Sequence, residues 1–185
     1  MNYRDRRFET PMPQSPARPR PDEYADFYGA YIGAVDEPLL EAFDRDSHEW
    51  RALLASVPAD REGHRYAPGK WSVREVVGHV IDAERMFSVR AMAFARGDRS
   101  HFPSFDEDAY AAASGADRRP LADLAEELSA VRAATLLLLK SFGGETWDRR
   151  GTASGYGFTV RSLAWIMAGH SRHHRRVLVE RYLER

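Results

Sequence analysis

Two histidines, His170 and His174, stand four residues apart in the last long stretch of helical apolar periodicity, residues 163–182. With Leu163 set at zero and about 100° per residue, Ile166, Met167, Val177 and Leu178 all fall within about 60° of that origin. His170 falls at about −20° and His174 at about 20°, so two imidazoles occupy the middle of the stripe where a helix ordinarily carries Leu or Ile. Burying both is costly unless their nitrogens find partners. One divalent cation satisfies both, since an i, i+4 pair lies about one helical turn apart and its rotamers can converge on a metal at Zn–N of about 2.0–2.1 Å.

Two ligands hold a metal weakly, so a third is sought on another helix. His79 lies about 100° from the apolar centre of its own helix, a flank position from which it can point inward or face solvent. His173 falls at about −80° on the last helix, outside the first ring of ligands. His48, His64 and His101 have no spacing that singles them out. Glu84 and Arg90 sit unexpectedly within the apolar arc of the His79 helix. For Glu84 three roles are open, as an acceptor orienting an imidazole, as a metal ligand, or as half of a buried ion pair. The pair is favoured, because carboxylates inside bundles usually have a cationic neighbour.

Four long helical segments are expected to position these groups. The first covers residues 37–57, with Pro58 ending it. The second covers 72–95, opened by a Ser72-x-x-Glu75 capping box and closed before Gly97. The third covers 121–142, and the fourth runs from a Thr159 cap almost to the end. Four helices of this length predict an all-α fold, a four-helix bundle, whose interior commonly hosts metal sites. No alternating stretch is long enough to propose a sheet, and the glycines of GTASGYGF (residues 151–158) argue for a loop. The connection from Asp98 to Pro120 is long enough to carry function, and its HFPSFDEDAY run is expected at a pocket mouth. Residues 1–21, rich in Arg and Pro, read as a flexible or extended tail. The folded domain is expected over residues 22–185, opening with an aromatic-rich lead-in.

Composition narrows the function classes. The 185 residues suit one domain, and the absence of cysteine removes disulfides and thiolate metal sites. Any metal must be held by His, Asp or Glu. With 27 basic and 28 acidic residues the formal charge is −1, which lacks the electrostatic footprint of a nucleic-acid binder. The SRHHRR run (171–176) reads as a solvated flank suited to a helix C-terminus. No apolar run approaches the length of a membrane span and no secretory signal is visible, so a cytoplasmic location is expected.

The segment RYAPGKWSVREVVGHVIDAERMFSVRAMAFARGD (65–98) resembles the second-helix signature of the DinB-like superfamily. PSFDEDAY, LAEELSAVRAATLLLL and AGHSRHHRR follow in that family's order, so the likeness spans about residues 24–182. It implies a four-helix bundle, often a homodimer, with a divalent metal, zinc or nickel among others, on three histidines. The family's second-helix histidine falls on His79 and its C-terminal H-x-x-x-H on His170 and His174. The resemblance further implies a metal-dependent hydrolase, or a transferase joining a small thiol such as bacillithiol or mycothiol to an electrophile. A small-molecule substrate, with no nucleic acid or membrane partner, is expected. The alternatives are a non-catalytic metal-binding or regulatory bundle and, less well supported by the charge, a nucleic-acid adaptor.

Overall fold

A computed structural model describes residues 15–183. The chain runs through α1 (Gly29–Gly33), α2 (Leu39–Ser56), α3 (Val73–Ala95), β1 (His101–Phe102), α4 (Glu107–Ala113), α5 (Leu121–Lys140), β2 (Arg150–Ala153), β3 (Tyr156–Thr159) and α6 (Val160–Val177), which a π-helical turn, Leu178–Leu183, extends. The long helices α2, α3, α5 and α6 form the bundle. Helix α3 packs on α6 and α5, and α2 packs on α5 and α6, so α2 and α3 face each other across a diagonal. Consecutive helices can lie diagonally because their connections are long enough to cross the bundle.

Local signals explain the helix starts. Ser72 accepts a hydrogen bond from the Glu75 amide while the Glu75 carboxylate accepts one from the Ser72 amide, satisfying two orphan donors reciprocally. Thr159 and Ser162 do the same at the start of α6.

The core is divided by a polar layer. One apolar cluster gathers Phe43, Phe87, Leu139, Leu163 and Ile166, and a second gathers Trp50, Val77, Ile81, Leu124 and Leu178. Between them each long helix contributes one buried polar side chain: Asp46 from α2, Glu84 from α3, Arg132 from α5 and Ser171 from α6. Arg132 Nε donates to both oxygens of Glu84 at 3.1 and 2.9 Å, Nη1 to Asp46 at 3.1 Å and Nη2 to Ser171 at 2.8 Å. The Ser171 hydroxyl also accepts from Trp50 Nε1 and donates to Asp46, which uses its one proton and both lone pairs. Glu84 is therefore half of a buried ion pair. A fully bonded layer of this kind fixes the register of four helices.

Two features depart from expectation. The segment from residue 150 to 159 is an antiparallel hairpin, with β1 added in parallel to β2, where a loop was expected. Ser154 and Gly155 both adopt positive φ at its tip, the conformation of a tight two-residue hairpin turn, and a helical cover makes up for strands of only four residues. Of the expected tail, residues 1–14 lie outside the described residues. Residues 15–20 do not hang free. Pro16 and Pro19 are buried, Arg18 donates to the carbonyls of Ile32 and Val35, and its guanidinium lies 5.1 Å from the Trp165 ring centroid. This contact is aperiodic, so no repeat in the sequence announces it.

The lead-in from residue 21 is tied down by Glu23, fully buried, which accepts from Thr159 Oγ1 at 2.9 Å and from Arg161 at 3.0 Å. Arg90, the other unexpected charge on α3, is buried and donates to the Pro103 carbonyl at 2.7 Å. It thus pins the start of the long connection onto the bundle.

Candidate metal centre

Helices α3 and α6, the most extensively packed pair in the bundle, bring His79, His170 and His174 together. One nitrogen from each of the three rings lies within 4.8 Å of the other two. His79 Nε2 and His170 Nε2 are 3.0 Å apart, close to the separation of about 3.3 Å that two nitrogens have on a tetrahedral zinc at ordinary Zn–N lengths. His79 and His170 are buried and His174 is partly so. His79, whose orientation the helical wheel left open, points inward.

Burial sets the chemistry of these rings. It pushes His79 down to about 4, against a weak opposing pull from Asp108. Burial and then the His79 and His173 rings push His174 down to about 3, and burial with the neighbouring imidazoles holds His170 well below its ordinary value. At neutral pH all three are uncharged and carry lone pairs. An N–H of one ring can satisfy one facing nitrogen, whereas a cation accepts from all three, so the donor set fits a divalent metal. Among the described residues no fourth His, Asp or Glu joins the cluster.

The surrounding wall is aromatic. The Trp71 ring lies 4.6 Å from His79 and is stacked 6.5 Å from His174. Phe87 meets His170 edge-on. Tyr31 of α1 meets His170 at 5.5 Å and His173 at 5.3 Å. Its approach depends on Gly169, where a Cβ would stand 2.0 Å from the Tyr31 carbonyl oxygen. The residue before His170 is thus glycine because the backbone of α1 occupies the space of a side chain. His173 contributes to the wall rather than to the cluster.

A cavity of about 500 Å³ adjoins His174, lined among others by Trp71, His173, Tyr182 and Asp108. Asp108 belongs to the HFPSFDEDAY run expected at a pocket mouth. Trp71 and Tyr31 were not singled out in the sequence. The tryptophan immediately before the capping box was the available signal for the first, and the aromatic-rich lead-in for the second. His48, His64 and His101 stand apart from the cluster. The SRHHRR run is not a free cationic strip: Arg172 pairs with Glu37 at 2.6 Å, Arg175 with Asp46 and Glu49, and Arg176 with Glu180.

The model of the DinB superfamily matches residues 4–178. The chain belongs to this superfamily. Among solved structures, YfiT from Bacillus subtilis, described as a probable metal-dependent hydrolase with an unusual four-helix bundle topology, superposes with a TM-score of 0.68 over 89% of this chain and 90% of that one, at 16% identity. At that identity the likeness shows the four-helix bundle alone. No curated protein matches the chain. No helix among the described residues is long and apolar enough to cross a membrane.

Proposed function

We propose that this DinB-superfamily protein is a metal-dependent enzyme in which His79, His170 and His174 hold one divalent cation, zinc or nickel, beside a pocket for a small molecule. The observation that carries this reading is the incomplete donor set. Structural zinc sites are closed by four protein ligands, whereas catalytic ones have three and leave a position for water or substrate. Three uncharged imidazoles with no fourth ligand among the described residues, next to a cavity of about 500 Å³, match the second pattern. This is also what disfavours a non-catalytic bundle whose ion merely closes the core. YfiT, of like fold, is described as a probable metal-dependent hydrolase, which supports the same class.

A bound ion of this kind lowers the pKa of coordinated water towards 7, or holds a thiol as its nucleophilic thiolate. The chain's own residues supply the setting. Burial keeps the three imidazoles unprotonated, and Trp71, Tyr31 and Phe87 shield them from bulk water. Asp108 is the one carboxylate among the residues that line the cavity, and so the acidic group placed to meet a molecule bound there. Because the chain has no cysteine, a thiol nucleophile has to arrive as cosubstrate, which leaves hydrolysis and thiol transfer as two uses of one centre.

The test is turnover by the protein stripped of metal and reloaded with zinc or nickel. One panel holds amides and esters, and the other holds bacillithiol or mycothiol with an electrophile. Activity that appears with metal in either panel and disappears in His170→Ala is expected. Absence of metal-dependent turnover in both panels contradicts the enzyme reading.

A further inference from the structure

Among the residues that line the cavity beside His174, cations outnumber carboxylates. Besides its aromatic lining it carries Lys70 and Arg181, and against these two cations stands one carboxylate, Asp108. Of the acids on neighbouring segments, Glu75 and Asp117 pair with Arg65, Glu62 with Arg74 and Glu180 with Arg176, while Asp106 and Glu107 precede Asp108 without lining the cavity. Among the described residues, neither Lys70 nor Arg181 takes part in an ion pair.

The backbone beneath Lys70 and the side chain of Arg181 are each held in place. Ala67 to Lys70 forms a turn closed by the Lys70 amide on the Ala67 carbonyl at 3.2 Å, with Gly69 at φ +73° following Pro68, the residue pattern of a type II turn. The Lys70 carbonyl accepts from Arg65 at 2.7 Å and the Trp71 carbonyl from the Tyr182 hydroxyl at 2.8 Å. The backbone on which Lys70 sits is therefore fixed while its ammonium remains exposed. Arg181 lies over the Tyr66 ring, 5.7 Å from its centroid, and Tyr66 in turn meets Tyr182 edge-on at 4.9 Å. A guanidinium resting on Tyr66 and a lysine on a fixed backbone, beside low-dielectric aromatic walls, focus a positive potential into the cavity.

We propose that the substrate of this site carries an oxyanion, a carboxylate or phosphate, held by Lys70 and Arg181 at one end of a flat apolar body lying against Trp71, Tyr66 and Tyr182. The inference rests on the reading of the trihistidine cluster as a metal centre, which would take the other end of the molecule. A volume of about 500 Å³ is in the range of small-molecule sites, whose specificity comes from a few polar groups in an apolar lining.

Phenylhydroxamic acids test this, because the hydroxamate is a metal-binding group and the para position is free to vary. Three probes, with para carboxylate, phosphonate or carboxamide, are titrated into the zinc-loaded full chain by calorimetry at low salt. We expect at least one acidic probe to bind about tenfold or more tightly than the carboxamide, with the two acidic arms telling which oxyacid fits. In Lys70→Met/Arg181→Met, a change at two exposed positions whose fold is checked by thermal melting, the acidic preference should shrink to within about twofold. The carboxamide affinity should stay unchanged. Equal affinities in the unaltered protein, a preference that survives the double substitution, or no binding of any probe overturns the proposal. The metal reading fails separately if probe binding is the same without zinc and in His170→Ala. An acidic preference that is still abolished by the double substitution then leaves the anion site standing.

Discussion

Burial of the three imidazoles predicts that metal affinity is almost indifferent to mild acid, and the size of the effect can be worked out. Histidines of ordinary pKa, near 6.5, are protonated roughly ten to one at pH 5.5. Three of them would weaken apparent metal affinity about 1,000-fold there, because each ligand must first lose its proton. Here burial holds His79 at about 4 and His174 at about 3, and keeps His170 well below the ordinary value. Fewer than about one molecule in twenty carries a proton on His79 or His174 at pH 5.5, so affinity should change by less than about twofold between pH 7.5 and 5.5. Competition for zinc against a chromophoric chelator, calibrated at each pH, measures this, with circular dichroism confirming that the helices persist. A fall approaching 1,000-fold would refute the reasoning, since it would mean that the rings titrate as if in water.

Three further outcomes follow from the packing. Arg132→Met leaves the Asp46 and Glu84 carboxylates buried without their shared cation and should cost about 3–5 kcal/mol in urea unfolding. Replacing all three charges with apolar residues should recover most of that loss. Gly169→Ala places a methyl on the Tyr31 carbonyl and should destabilise the metal-free protein by about 1–3 kcal/mol, read as a lowered Tm. Glu37 is held down to about 2, first by its hydrogen bonds to Arg172. Its contribution is therefore complete above about pH 4.5 and is lost as pH falls towards 2, amounting to at most about 3 kcal/mol for a shift of this size. Glu37→Gln should flatten that part of the stability–pH curve, and an unchanged curve would contradict the pairing.

The parts of the molecule that repeat or cap were legible in the sequence. Helical periodicity, the Ser72–Glu75 box and the Thr159 cap located the long helices to within a few residues. The interruption of an apolar stripe by His170 and His174 pointed to two of the three histidines that cluster between α3 and α6. Glu84 was recognisable as a paired buried charge, but its partner was not, because Arg132 lies 48 residues away on α5 and meets it only where α5 packs on α3. The hairpin was missed for a physical reason. Its strands have four residues each, too short for alternation to show, and the glycines that suggested a loop are those that a tight turn and close packing require. Aperiodic contacts escaped entirely. Nothing in the spacing of Arg18, Lys70 or Arg181 says that the first docks on Trp165 while the other two share a cavity with His174.

As proposed, three imidazoles from two helices hold one cation with a position left open. X-ray absorption of the zinc-loaded protein tests it most directly. One zinc per chain is expected, bound by three imidazole nitrogens at about 2.0–2.1 Å with a light non-protein atom completing the shell. A chain that retains no stoichiometric zinc, or a shell with fewer than three imidazoles, would contradict it.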